Sequence, residues 1–566
     1  MAGTTTTRRP RLGLLAILAL AFATALLVQP FGYNQGAHYA LVRALSDGTP
    51  RIDAYRDFSG DIGYYKGHYY SNKAPGLAFV TLPVYKVAHS LGLPSGVHVL
   101  SLWGVLLPGV LLLLLVWRVG DRAAPGYGFA AAFTLAIATL VLPFLGMYFA
   151  HVLSALLGFA AFAVLWSERD GPPRPSLLAA GGLLAGFAVV VEYPLALIAV
   201  VLGFYAISRR PVLRRGLVWT GGVFVGLLPL LAFNQWAFGS FTQLSYSHLV
   251  VSSKAGQVVV AQPTRNGFQP RVAVELLLSS RGLLTLAPVV ALGIAGVVFL
   301  YRRRRAEALT IGAVAASFLL YNTSFIYFGG FGPGPRYLIP ALPFVAVGLA
   351  AAYRRIPVTT LALAAISAAA MVLATITEPL LPNNEGPGIV RFGDVAHPSR
   401  WLDRLRDGTF TDTVFAHSGL GHGWLSIAPV LVVLAAAVAL AADAVGRLGV
   451  TRRDAECAAV AVAGWLVALL AAPELLHHAR FQGGVAGVWT VLALLLGVAL
   501  AGMETSRAGF GRALPAAPLL ALPFLRDRPS WALAFAVLAL VALVAARVGD
   551  SRFMPTSRAL RSPWWR

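Results

Sequence analysis

The sequence predicts an all-α polytopic membrane protein, and three observations carry that prediction. Hydrophobic residues fill 58% of the 566 positions and charged residues only 12%, about half the charged share of a soluble domain. Apolar runs of roughly 17–22 residues recur along the chain, long enough to cross a hydrocarbon core of ~30 Å. The net charge of +22 is gathered into short arginine clusters between those runs, such as Arg8 to Arg11, Arg209 to Arg215 and Arg302 to Arg305. Short positive loops stay cytoplasmic, so this charge sets topology and gives no reason to expect nucleic acid as a partner. Cys457 is the single cysteine, which excludes a disulfide framework and a thiolate metal site within the chain.

The elements run in order from an N-terminus on the inside. The spans expected are 12–30, 98–117, 127–146, 148–166, 176–191, 193–207, 216–235, 284–301, 307–327, 337–353, 357–377, 425–446, 455–473 and 483–501. The first has a basic start like a secretory signal, but the many spans behind it make it an uncleaved transmembrane helix. Residues 31–97, 236–283, 328–336, 378–424 and 474–482 then lie outside, with tight outer junctions near 147 and 192. All four lysines, Lys66, Lys73, Lys86 and Lys254, fall on that side. The apolar piece 77–93 contains Lys86, His89 and Pro83 and reads as a helix lying at the interface. Residues 513–525 and 530–547 are expected to form a hairpin that returns the basic tail to the cytoplasm. About 14–16 spans result, in a region 1–355 with the long first outer loop 31–97 and a region 356–566 with the outer loop 378–424.

The first outer loop carries the densest chemistry. Asp53, Asp57 and Asp61 are spaced four apart, but Gly60 and Gly63 interrupt any helix that would align them. Carboxylates serve as general bases or hold a divalent cation; a solvated acidic loop is the plainer reading. His68 sits among the tyrosines, and Lys73 precedes a rigid Ala74-Pro75-Gly76 turn placed to meet a lipid phosphate. A lysine snorkelling to headgroups is the alternative there. His151 opens a span and Glu192 stands in the hairpin VVVEYPLAL; ionisable groups so near hydrocarbon default to function, with a packing histidine and a helix-cap neighbour as the plainer readings. Arg281 and Arg336 start later spans, and arginine is suited to bidentate phosphate contacts, although either can simply anchor headgroups.

These motifs, YYSNKAPG, MYFAHVLSA, VEYP and GPRYLIPALPF in that order, resemble the GT-C superfamily of membrane glycosyltransferases. The chain is similar in pattern to bacterial protein O-mannosyltransferases and lipid A aminoarabinose transferases over residues 12–355. The resemblance implies a GT-C-like transmembrane helix bundle whose catalytic region is 1–355. It also implies transfer of a sugar from a polyprenyl-phosphate carrier, with Lys73 at the donor phosphate. One departure stands out. After the first span the family carries an acidic pair, where this chain has Asn34 and Gln35, which cannot accept a proton as a base.

The expected function is therefore an inner-membrane glycosyltransferase working on the outer face. Its partners are a polyprenyl-phosphate-linked sugar, a lipid, glycan or protein acceptor, and membrane lipids. Asp61, or else Asp53, is the expected base. Lys73, Arg336 and Arg281 are expected at the donor phosphate, and Asn34, Gln35, Asp57, His68, His151 and Glu192 around the substrate. No cofactor is required, and a divalent cation remains an option. A transporter or flippase of a lipid-linked or anionic substrate is the alternative, and a non-catalytic membrane subunit a third. Transport predicts charges at helix centres, whereas here they gather at span ends.

Overall fold

The structure is a computed structural model that describes residues 10–471, apart from 255–256, 262–266, 270–271, 274–275, 278–280, 325–329, 331, 381–397 and 447. The expected span 483–501, the outer loop 474–482 and the C-terminal hairpin lie outside the described residues, as does the centre of the loop 378–424.

Among the described residues, six helices are long and apolar enough to span a membrane: Val97–Ala123, His151–Arg169, Val212–Phe238, Arg336–Arg355, Pro357–Thr377 and Trp424–Val445. Five shorter apolar helices accompany them. In chain order the elements used below are α1 (Pro10–Ala25), α2 (Tyr33–Ser46), α3 (Gly76–Ser90), α4 (Val97–Ala123), α5 (Gly128–Ile137), α6 (His151–Arg169), α7 (Pro175–Val191), α8 (Ala196–Ile207), α9 (Val212–Phe238), α10 (Val289–Tyr301), α11 (Arg305–Thr323) and α12 (Leu342–Arg355). The protein is an all-α polytopic membrane protein with little sheet. The segment Arg336–Arg355 is its centre, since 94% of its apolar stretch is buried.

Helix packing relies on small residues. A Cβ on Gly296 of α10 would overlap the Gly348 carbonyl oxygen of α12. Helices α7 and α9 repeat the device with two facing Gly-xxx-Gly pairs. A Cβ on Gly182 or Gly186 would run into the carbonyl oxygen of Trp219 or Val223. One on Gly222 or Gly226 would do the same at Ala179 or Leu183. In lipid, where hydrophobic burial does not drive helix pairing, such backbone approach supplies the dispersion contacts that hold helices together.

Several expectations change. Residues 33–46, expected within a loop, form α2, because Gly32 and Gln35 cap a helix start. The Gln35 Oε1 accepts from the Gly32 N–H at 3.1 Å, and its Nε2 donates to the Pro30 carbonyl at 2.9 Å. The acidic stretch Asp53–Phe58 is a short 3-10 helix, so the three aspartates share no helical face. Beyond it, β1 (Ile62–Tyr65) and β2 (His68–Ser71) form an antiparallel hairpin. Its two-residue turn is Lys66-Gly67, both with positive φ, 48° and 85°, the geometry that matches strand twist. Two later strands, β3 (Leu249–Lys254) and β4 (Gln257–Ala261), extend it to a four-stranded sheet in the order β2-β1-β3-β4. The expected span 127–146 is not one helix: the first helix stops at Ile137, and a short second helix, Val141–Leu145, follows with Pro143 in its first turn. The whole break is buried, as non-helical backbone at membrane depth must be. Residues 77–93 do form a helix, α3.

Inserting branched side chains at the α7–α9 contact tests this packing. Gly186→Val and Gly222→Val are each expected to destabilise the bundle by about 1–3 kcal/mol or more, through overpacking against a backbone that cannot yield. Thermal unfolding of the purified protein in detergent measures this, and an unchanged Tm in both variants would contradict the contact.

Candidate active site

Segments distant in sequence meet around one cavity of about 260 Å³. The end of the hairpin contributes Lys73, α2 contributes Asn34 and His38, the start of α6 gives His151, and the turn after α7 gives Glu192. Tyr246, Tyr321 and Tyr337 complete the wall. Asn34 and His38 reach it together because they stand four apart on α2 and so share a face. Lys73 is brought beside Glu192 by Gly76. There a Cβ would sit 2.7 Å from the Val190 carbonyl oxygen, so only glycine lets α3 begin against α7.

One ion pair and one histidine–carboxylate hydrogen bond dominate the polar chemistry. Lys73 Nζ lies 2.8 Å from Asp61 Oδ2, the lysine side chain 11% exposed and the aspartate 33%. His151 Nδ1 lies 2.8 Å from Glu192 Oε1, and Ser154 Oγ donates to Glu192 Oε2 at 2.7 Å. Both Glu192 oxygens are thus engaged, which makes a buried carboxylate tolerable. With Nδ1–H donated to Glu192, His151 Nε2 is left as an acceptor. That atom is buried and has no hydrogen-bond partner. The ring stacks on Phe149 with centroids 5.7 Å apart and meets Phe144 and Tyr337 edge-on, so its orientation is fixed. The arrangement offers a cation, an oriented proton acceptor and unpaired amide oxygens, since Asn34 Oδ1 and Asn72 Oδ1 are also buried without partners.

The two arginines play different parts. Arg281 is buried and donates through Nη2 to the Gly330 carbonyl at 2.7 Å and to the Gly332 carbonyl. It therefore braces the glycine-rich turn ahead of Arg336. Arg336 packs its guanidinium over Phe149 at 5.0 Å and Tyr337 at 5.2 Å. Its Nε is buried with no hydrogen-bond partner, and a Cβ on Gly330 would lie 2.5 Å from that atom.

Asp61, Arg281 and Arg336 stand behind the cavity wall, and other expected residues lie further from its chemistry. Asp53 accepts from the Tyr69 N–H at 2.6 Å through one oxygen and meets His68 Nδ1 at 2.8 Å through the other, tying the 3-10 helix to the hairpin. The Asp57 side chain is 97% exposed, with only a 3.4 Å contact to Arg56. Gln35 is committed to its helix cap. Among the described residues no cluster of three or more His, Cys, Asp or Glu is placed to hold a metal ion.

Sequence reasoning missed His38 and the tyrosines. His38 had a signal, its i, i+4 spacing from Asn34, once residues 33–46 are read as helical. Tyr246 had none, because it reaches the cavity through Ser245, whose Oγ donates to the Asn72 carbonyl at 3.1 Å and meets Tyr193 OH at the same distance.

No protein-family model matches the sequence, and no curated protein does. Among solved structures, the chain is similar to ArnT from Cupriavidus metallidurans, at 14% identity over 94% of this chain and 76% of that one. The TM-score is 0.42 for the apo state and 0.40 for the form bound to undecaprenyl phosphate. It is also similar to the oligosaccharyltransferase of Archaeoglobus fulgidus, at 14% identity, covering 79% of this chain with a TM-score of 0.38. The chain spans 57% of the length of that oligosaccharyltransferase. Superpositions this loose carry no argument about activity, which has to be read from the residues.

His38 is fully enclosed, and burial holds its imidazole well below the usual histidine range, with the Lys73 charge adding to the effect. The folded state therefore resists protonation that the unfolded chain accepts near pH 6.5. Stability is full above that pH and falls as pH drops from there through the depressed folded value. His38→Gln is expected to flatten this acid-side decline in Tm. The same slope in the variant would assign the decline to other groups.

Proposed function

We propose that the protein is an integral membrane glycosyltransferase that moves a sugar from a polyprenyl-phosphate donor to an acceptor hydroxyl at the outer face of the cytoplasmic membrane. The observation that carries this reading is that Lys73, which Asp61 holds at 2.8 Å, lines one cavity with the buried His151–Glu192 pair. In this reaction a base takes the proton of the acceptor O–H, and the oxygen attacks the anomeric carbon. The bond from that carbon to the phosphate oxygen breaks with inversion, and its electron pair leaves on the polyprenyl phosphate. Lys73 and Arg336 stabilise the charge that develops there. Arg281 supports them by holding the turn on which Arg336 rests.

Asp61 is the preferred base. Its competitor Asp53 is committed through both oxygens to the hairpin, whereas Asp61 keeps one oxygen clear of Lys73. Asn34, His151 and Glu192 line the sugar pocket. The acceptor is a hydroxyl of a lipid, glycan or protein. Residues 1–355 supply every group in this scheme, so they form the catalytic region.

Sugar transfer from polyprenyl-phosphate sugars, assayed in membranes containing each variant, tests the scheme. Asp61→Asn and Lys73→Ala are each expected to lose about 100-fold or more, the usual contribution of a positioned proton acceptor or charge. Asp53→Asn is expected to retain transfer. Transfer kept by Asp61→Asn but abolished by His151→Gln moves the base role to His151. Unchanged transfer in all four variants sinks the reading.

A further inference from the structure

The far end of the bundle holds a second, more open cleft. Helix α6 begins at His151 in the cavity and ends at Arg169. Its 19 residues rise ~28 Å at 1.5 Å per residue, close to the ~30 Å of a hydrocarbon core. The cleft at its end therefore lies at the opposite membrane surface. It measures about 570 Å³ and is shaped by the ends of α6 and α8 and the start of α11.

Five arginines line it, Arg169, Arg209, Arg303, Arg304 and Arg305, against two acidic residues, Asp170 and Glu307. Both acids are already engaged. Asp170 Oδ1 accepts from Arg304 at 2.7 Å. Glu307 Oε1 accepts from Tyr205 OH at 2.8 Å and lies 3.5 Å from Arg169 Nε. Arg209 donates to the Arg169 carbonyl at 2.6 Å, which neutralises no charge. Neither Arg303 nor Arg305 has a carboxylate partner among the described residues.

Topology alone explains arginines in each loop but not their convergence. The positive-inside rule counts charges per loop, and guanidiniums drawn into one cleft repel. Nearby the fold does neutralise such a charge. Arg215, one turn into α9, is buried and held bidentately by Glu168 at 2.7 Å on both nitrogens. The cleft instead keeps a surplus of three positive charges around an open volume. Leu309 lines it too, with 54% of its surface exposed, so an apolar flank adjoins the cations.

We propose that this cleft binds a phosphate-bearing ligand, and that the ligand is the headgroup of an anionic phospholipid from the membrane leaflet on that side. Guanidinium forks match phosphate oxygens bidentately, basic pockets between transmembrane helices take anionic headgroups, and Leu309 lies where an acyl chain would pass. Bound there, the lipid joins α6, α8 and α11 at one end, while α6 lines the cavity at the other. The proposal is independent of the transferase reading.

The full-length protein purified in detergent tests it. Thermal unfolding is followed while adding phosphatidylglycerol, phosphatidylcholine or inorganic phosphate, to wild type and to the triple variant Arg209→Ala/Arg303→Ala/Arg305→Ala. These three side chains belong to no buried ion pair. Phosphatidylglycerol is expected to raise the Tm of wild type, and the triple variant is expected to need about tenfold more lipid for the same rise. An equal rise with inorganic phosphate supports the phosphate site but overturns the lipid assignment. An equal rise with phosphatidylcholine, or in the triple variant, overturns the site. If the triple variant does not fold, Arg303→Lys/Arg305→Lys keeps the charge and removes the fork. Wild-type lipid dependence in that variant, together with no phosphatidylglycerol-specific rise in wild type, overturns the proposal.

Discussion

Hydrocarbon solvates neither a charge nor an open backbone group, and that constraint organises this molecule. Helix interiors are nearly free of ionisable side chains, so such groups crowd at helix ends. The carboxylates drawn inward are partnered, as Glu192 is by His151 and Ser154 and Glu168 is by Arg215. The helices that carry those ends must still be held together without a hydrophobic drive between them. Glycine contacts in α7–α9 and α10–α12 meet that need by letting backbones touch.

The cavity arises from both requirements. Close packing of α7 against α9 fixes where α7 ends, and therefore where Glu192 sits. Gly76 lets α3 start against the same helix, which delivers Lys73. The hairpin β1–β2 then carries Asp61 to within 2.8 Å of the lysine. Each partner is thus placed by the packing of its own element, so the site forms with few direct bonds among its segments.

Much of this was legible in the chain. Composition and the recurrence of long apolar runs gave the all-α membrane class, because burial in lipid leaves a mark on every residue of a span. Lys73, His151 and Glu192 were legible for the same reason, since a charge beside an apolar run is conspicuous. The hairpin was not. Its turn is Lys66-Gly67, and its strands are runs of tyrosine that read equally well as an aromatic loop. The division of labour among the carboxylates was hidden too, because Asp53, Asp57 and Asp61 are alike in type and spacing and differ only in what the fold places beside them.

By itself, then, the sequence determined the solvent of this protein, the sign of charge at its loops and the residues with an ionisable reason to be near the surface. These depend on local composition and on the transfer of side chains into lipid. Only the tertiary structure decided that Asp61 meets Lys73 while Asp53 is spent on His68 and the Tyr69 N–H. It also decided that Arg281 braces a turn rather than meeting the cavity, and that five arginines from three loops share one cleft. The arginine cleft joins residues more than a hundred positions apart, and which helices pack together sets that pairing. That choice rests on the glycine contacts and buried shapes of whole faces, which no local stretch of sequence contains.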